Sequence, residues 1–190
     1  EGNFGHLFRA RYRGHRVAVK QLLGVEDKAM HKYIEREMTL LKSLRHANIV
    51  RYMGMCHSEG QLYIVTEYVR SGDLHEKLHD AGLHLPWRLR TRIALDTCAA
   101  VVHLHERDII HRDLKSKNLL VDGNWRVKVC DFGFARSADS KQYMTLVGTD
   151  EWMAPEIFLG DKYDKSVDVF SFGLILFELI MRAEPPERFP

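Results

Sequence analysis

Val17 and Val19 alternate with Ala18 and Lys20, a period of two that predicts a strand. Residues 6 to 13 and 16 to 22 then read as a hairpin around Arg13-Gly14-His15. After Asp27 the period changes: Ile34, Met38, Leu41 and Leu44 recur at helical spacing, which predicts a helix from about Asp27 to Leu44. Strands return at 50 to 56 and 61 to 67. Beyond Gly72-Asp73-Leu74 a short helix is expected to about His79, with Asp73 as an acid in its first turn. A longer one should span Pro86 to Glu106, with Pro86 in the first turn and Ile93, Leu95, Val101, Val102 and Leu104 on its apolar face. Val127 to Cys130 reads as a strand after the Asp122-Gly123-Asn124 turn. The most apolar run, Val167 to Ile180, includes only Asp168 and Glu178 as charges and predicts a buried core helix opening near Asp164. The proline-rich segment after Met181 should not be helical.

Composition narrows the picture without deciding it. With 190 residues, 45% hydrophobic and 28% charged, the chain can build a substantial core as one domain or two small lobes. A net charge of +2 without a Lys/Arg run does not suggest nucleic acid as a partner. Cys56, Cys98 and Cys130 are unevenly spaced in apolar surroundings, which argues against a disulfide framework or Cys-x-x-Cys metal site and for a cytoplasmic protein. The Val167 to Ile180 run is too short to insert in a bilayer, and no signal peptide is legible. Glu1 in place of Met is expected to mark a segment cut from something longer. His103 and His105 are read as packing or surface residues, since nothing near them completes a ligand set.

The chemistry concentrates in His111-Arg112-Asp113-Leu114-Lys115-Ser116-Lys117-Asn118, followed by Asp131-Phe132-Gly133. Phosphoryl transfer needs a group to orient the incoming hydroxyl, metal ligands, and cations to offset charge. Asp113 suits the first task, Asn118 and Asp131 the second, and Lys115 part of the third.

His-Arg-Asp-Leu-x-x-x-Asn, Asp-Phe-Gly and Ala154-Pro155-Glu156 together resemble the signature set of eukaryotic protein kinases, in the right order and over essentially the whole chain. The resemblance implies an α+β, bilobal protein-kinase fold. Its N-lobe, residues 1 to 67, would be a small antiparallel sheet with one helix; residues 68 to 72 would be the hinge; residues 73 to 190 would form a mostly helical C-lobe lacking its C-terminal helices. The arginine that pairs with the glutamate equivalent to Glu156 would be missing with them. Gly2, Asn3, Phe4 and Gly5 resemble the end of the glycine-rich loop over the nucleotide phosphates, where a Cβ would obstruct close approach. Leu7 departs from the usual valine.

By the same resemblance Lys20, in Val-Ala-Val-Lys, holds the α- and β-phosphates and pairs with Glu37, chosen over Glu35 from its spacing to His46. Ala18, Thr66 at the gatekeeper position, the Glu67 carbonyl, the Val69 amide and Leu120 would surround adenine, and Cys130 precedes the metal-binding Asp131. Arg112 and Arg136 would grip a phosphorylated activation loop. Thr145 is preferred there over Ser137, Ser140 and Tyr143, and an unmodified loop stays open. Thr149 would hydrogen-bond with Asp113 and Lys115, and Asp168 would accept hydrogen bonds from the catalytic-loop backbone.

Lys115 and Gly148-Thr149 resemble serine/threonine kinases, whereas Ile64-Val65-Thr66-Glu67-Tyr68 and Trp152-Met153-Ala154-Pro155-Glu156 look like tyrosine kinases. The mixture is similar to the tyrosine-kinase-like group of serine/threonine kinases, such as the mixed-lineage, Raf and LIM kinases. It implies ATP and Mg2+ as cofactors, protein substrates and upstream kinases as partners, and a role in signal transduction, with dual specificity open and oligomeric state undetermined. A pseudokinase or ATP-binding scaffold is the alternative. The joint presence of Lys20, Glu37, Asp113, Asn118 and Asp131 speaks against it.

Overall fold

Right-twisted strands joined by a two-residue type I′ turn need positive φ at both turn positions, which glycine adopts readily. Arg13 and Gly14, at φ 48° and 80°, provide this between β1 (Leu7–Tyr12) and β2 (His15–Leu22). Glu59 and Gly60, at 51° and 75°, repeat it between β3 (Tyr52–Ser58) and β4 (Gln61–Glu67). The computed structural model describes residues 6–22, 42–131, 136–137 and 151–186, residues 136 and 137 as backbone. Most of the helix expected from Asp27 to Leu44 lies outside these residues.

The chain divides into two compact units, Glu1–Val69 and Arg70–Pro190. In the first unit the four strands form an antiparallel sheet in the order β1-β2-β4-β3. Ala18 is opposite Thr66 and Lys20 opposite Ile64. Val17 and Leu62 are buried, and the register places them on opposite faces of the sheet, since Leu62 is opposite Leu22.

Most of the regular structure in the second unit is helical. Its α1 spans Leu74–His79, α2 Trp87–His105, α3 Pro155–Phe158 and α4 Ser166–Met181. Short two-stranded pairs lie between them: β5 (Ile109–Ile110) with β8 (Arg136–Ser137), and β6 (Leu119–Val121) with β7 (Val127–Val129). An α+β architecture is therefore present. Among the described residues no helix is long and apolar enough to cross a membrane.

Several local expectations need correction. Asp73 is the N-cap of α1 rather than a first-turn acid: its backbone is extended and its Oδ1 accepts from the Glu76 amide at 2.9 Å. Pro86 likewise stands just outside α2, because a ψ of 154° is not helical. On α2, Leu95 is 65% exposed and Val102 48%, so its inner face is Ile93, Thr97, Ala100, Val101 and Leu104, with buried Asp96 bonding Val127 N. On α4, Val167, Ile175 and Leu179 are buried while Val169, Ile180 and Met181 are exposed, so the helix is buried along one side. Cys56 and Cys98 are exposed rather than set in apolar surroundings, and all three thiols are free.

Candidate active site

The loop from His111 to Asn118 is held from beneath by one carboxylate. Asp168, near the start of α4 and fully buried, accepts from the His111 amide at 2.8 Å and the Arg112 amide at 2.9 Å. A third donor is the Nε2 of His105 at 2.8 Å, so His105 is neither a packing nor a plain surface residue. Asp168 thus meets the expectation of accepting from the loop backbone and adds a side-chain donor. The grip matters because Arg112 sits at φ 68°, a left-handed conformation that costs a non-glycine residue about 1–3 kcal/mol and persists only where its surroundings impose it.

His111 is held just as firmly. Its Nε2 lies 3.0 Å from the Cys130 carbonyl, and its Nδ1 3.3 Å from the Asp113 amide. A carbonyl only accepts and an amide N–H only donates, so the ring carries its proton on Nε2. It therefore links the turn before Asp113 to the turn before Asp131.

Asp113 itself is buried. Asn118 Nδ2 donates to the Asp113 carbonyl at 2.7 Å and to its Oδ2 at 2.9 Å, and Lys115 Nζ stands 3.1 Å from the same Oδ2. Two donors on one oxygen fix the plane of the carboxylate. Asn118 closes a single 3-10 turn, Ser116–Asn118, and its own carbonyl accepts from Cys130 N at 2.9 Å. Pairing of Leu119 with Val129 in β6 and β7 then delivers half-buried Asp131, at φ 62°, beside the same loop. With Nδ2 committed to Asp113, Asn118 presents an amide oxygen. That oxygen and the Asp131 carboxylate are hard oxygen donors of the kind that could hold Mg2+.

Behind the loop lies a second buried carboxylate whose role the sequence reading missed. Glu178 of α4 accepts from Ser116 Oγ at 2.7 Å and from Trp152 Nε1 at 2.8 Å, joining the catalytic loop to the segment before Ala154-Pro155-Glu156. Desolvation pushes its pKa above the usual value, and the two hydrogen bonds pull it back in part. The only sequence signal was an acid inside a run too apolar to leave it exposed. His75 Nδ1 lies 3.8 Å from the same carboxylate. Burial, then the neighbouring His79 and Lys117, lower the His75 pKa and favour its neutral form.

Other proposed site residues are placed as follows. Ala18 and Lys20 of β2 and Thr66 and Glu67 of β4 are half-buried, as is Val69. Thr66 Oγ1 donates to the Glu67 carbonyl at 3.3 Å, so that acceptor already has a donor. Leu120 is half-buried on β6, strapped to the chain leaving the sheet by Ser71 N to Val121 O at 3.1 Å and Val121 N to Gly72 O at 2.9 Å. Arg112 is buried, with Nη1 donating to the Tyr163 hydroxyl at 2.9 Å. The Arg136 backbone pairs with Ile110, two residues before Arg112. Gly2, Asn3, Phe4, Gly5, Glu37, Thr145 and Thr149 lie outside the described residues.

A family model described as "Protein kinase domain" matches residues 1–188. Among curated proteins of Dictyostelium discoideum, "Probable serine/threonine-protein kinase kinX" is 45% identical over 190 residues, covering 97% of this chain and 17% of that protein. "RasGEF domain-containing serine/threonine-protein kinase X" is 48% identical over 189 residues, 97% of this chain and 20% of that protein. "Probable serine/threonine-protein kinase drkA" is 40% identical over 188 residues, 97% of this chain and 29% of that protein. The chain therefore spans less than a third of the length of these relatives.

Proposed function

This chain belongs to the protein kinase domain family, and from that premise we propose that the protein transfers the γ-phosphoryl group of ATP to serine and threonine hydroxyls of protein substrates. The observation that carries the reading is the fixed Asp113 carboxylate, held through Oδ2 by Asn118 and Lys115 in a loop anchored on Asp168. Asp113 accepts the proton of the incoming hydroxyl and orients its oxygen for in-line attack. Lys115, beside it, offsets charge on the phosphoryl being transferred. Lys20 does the same for the α- and β-phosphates, and Asn118 and Asp131 would hold the metal. Magnesium held there would supply positive charge to neutralise the charge that develops on the phosphates.

The preference for serine and threonine rests on Lys115, two residues after Asp113, and on the names of the relatives. Activation-loop phosphorylation by upstream kinases, read out through Arg112 and Arg136, belongs to the same proposal, as does a cytoplasmic setting for a chain with three free thiols. The test is phosphoamino-acid analysis after incubating the full-length protein with labelled ATP, Mg2+ and a generic basic protein, beside a Lys20→Met control. Phosphoserine or phosphothreonine that disappears in the control is the expected result. Phosphotyrosine alone would overturn the hydroxyl assignment, and absence of transfer would favour a scaffold.

A further inference from the structure

The second unit carries a concentration of metal-ligating groups distinct from Asn118 and Asp131. His75 and His79 are four residues apart on α1, so one helical turn brings their rings together, with centroids 4.3 Å apart. Glu184, in the segment after α4, reaches the same place: its Oε1 is 3.4 Å from His75 Nε2. One ligand atom of each residue lies within 4.8 Å of one from each of the others, the only such trio among the described residues. We propose that His75, His79 and Glu184 bind a divalent transition-metal ion, zinc foremost, which clasps α1 to the chain that follows α4.

Distances, second partners and backbone placement support this independently. Zinc bonds of about 2.0–2.1 Å at tetrahedral angles put neighbouring ligand atoms roughly 3.3 Å apart. The His75 to Glu184 gap already matches, and the widest separation needs to close by about 1.5 Å on that scale. Both His79 and Glu184 are exposed side chains that can make this adjustment. His79 Nδ1 lies 2.9 Å from the His75 carbonyl, which makes it the protonated nitrogen and leaves the Nε2 lone pair for a metal.

Ligating histidines characteristically direct their other ring nitrogen at a carboxylate or similar partner. His75 does so, with Nδ1 3.5 Å from Ser116 Oγ and 3.8 Å from Glu178 Oε1. The backbone near Glu184 is also fixed. Two residues earlier Arg182 donates to the carbonyls of Leu78 at 3.0 Å, Asp80 at 2.6 Å and Leu83 at 2.9 Å, which bracket His79 in sequence. Two imidazoles and one carboxylate select zinc over magnesium and leave a fourth position for water.

The experiment uses the full-length protein, stripped with a chelator and titrated with Zn2+ while its thermal midpoint is followed, and with Co2+ while its visible absorption is recorded. Wild type should gain several degrees at saturating zinc and show the intense bands of four-coordinate cobalt. His79→Ala and Glu184→Gln should each weaken binding at least tenfold, while exposed His57→Ala, in the other unit, and Asp113→Asn should leave it unchanged. Wild-type affinity in both His79→Ala and Glu184→Gln, or no uptake at micromolar zinc, would reduce the trio to a hydrogen-bonded cluster and overturn the proposal. Asp113→Asn retaining zinc while losing phosphoryl transfer would separate this site from the kinase reading.

Discussion

Asp168→Ala removes the acceptor shared by three donors and leaves the rest of α4 in place. Two of the three are the buried amides of His111 and Arg112, and each buried donor deprived of its partner costs about 1–3 kcal/mol. His105 is partly exposed, so water can replace its lost acceptor, and its contribution should be small. The expected loss is therefore about 4 kcal/mol, a large share of the roughly 5–15 kcal/mol that stabilises a typical protein. Asp168→Asn keeps one acceptor oxygen but turns an NH2 group toward the other donor, so about half that loss is expected. The three tryptophans, Trp87, Trp125 and Trp152, all belong to the Arg70–Pro190 unit, so urea unfolding followed by their fluorescence reports on that unit. Hydrogen exchange at His111 and Arg112 should accelerate in parallel. A change below about 0.5 kcal/mol, with both amides still protected, would refute the anchoring role, since such losses are ordinary for surface substitutions.

Two further substitutions test neighbouring parts of the framework. Burial raises the folded-state pKa of Glu178, so its contribution to stability is complete below the usual value of 4.5 and is lost as pH rises through the raised value. Wild-type stability relative to Glu178→Gln should therefore decline as pH is raised from 4 toward neutrality in chemical denaturation, whereas a relative gain would mean that the hydrogen bonds from Ser116 and Trp152 outweigh desolvation. Gly72 sits at φ 79°, where a Cβ would also lie 2.6 Å from Glu76 Oε2. That side chain can swing away, so Gly72→Ala should cost about 1–2 kcal/mol from the left-handed backbone alone, measurable by the same fluorescence transition; an unchanged midpoint would argue against the conformation.

In the first unit the Arg13-Gly14 hairpin was legible because glycine supplies positive φ between two strand-like runs, whereas the Glu59-Gly60 turn between the strands expected at 50 to 56 and 61 to 67 was not singled out. Within the second unit, helix existence was legible from periodicity, whereas burial was less so. Leu95 and Val102 are apolar yet exposed, while Asp96 is acidic and buried because Val127 N and Arg126 satisfy it. The Asp113-Asn118 contact lies within one short motif. The anchors under it do not: Asp168, Glu178 and His105 come from distant helices, and only the folded chain brings His105 to Asp168 or Ser116 to Glu178. Asp168 was anticipated through family resemblance, and Glu178 lacked even that.

Single-turnover phosphoryl transfer in Asp113→Asn, under saturating ATP and Mg2+, tests the central claim most directly. The substitution keeps the side chain's size and an acceptor for Asn118 but removes the group that takes the hydroxyl proton and much of its electrostatic pull. The account predicts a fall in rate of on the order of a hundredfold or more with nucleotide binding retained; turnover within about threefold of wild type, far short of that loss, would contradict it.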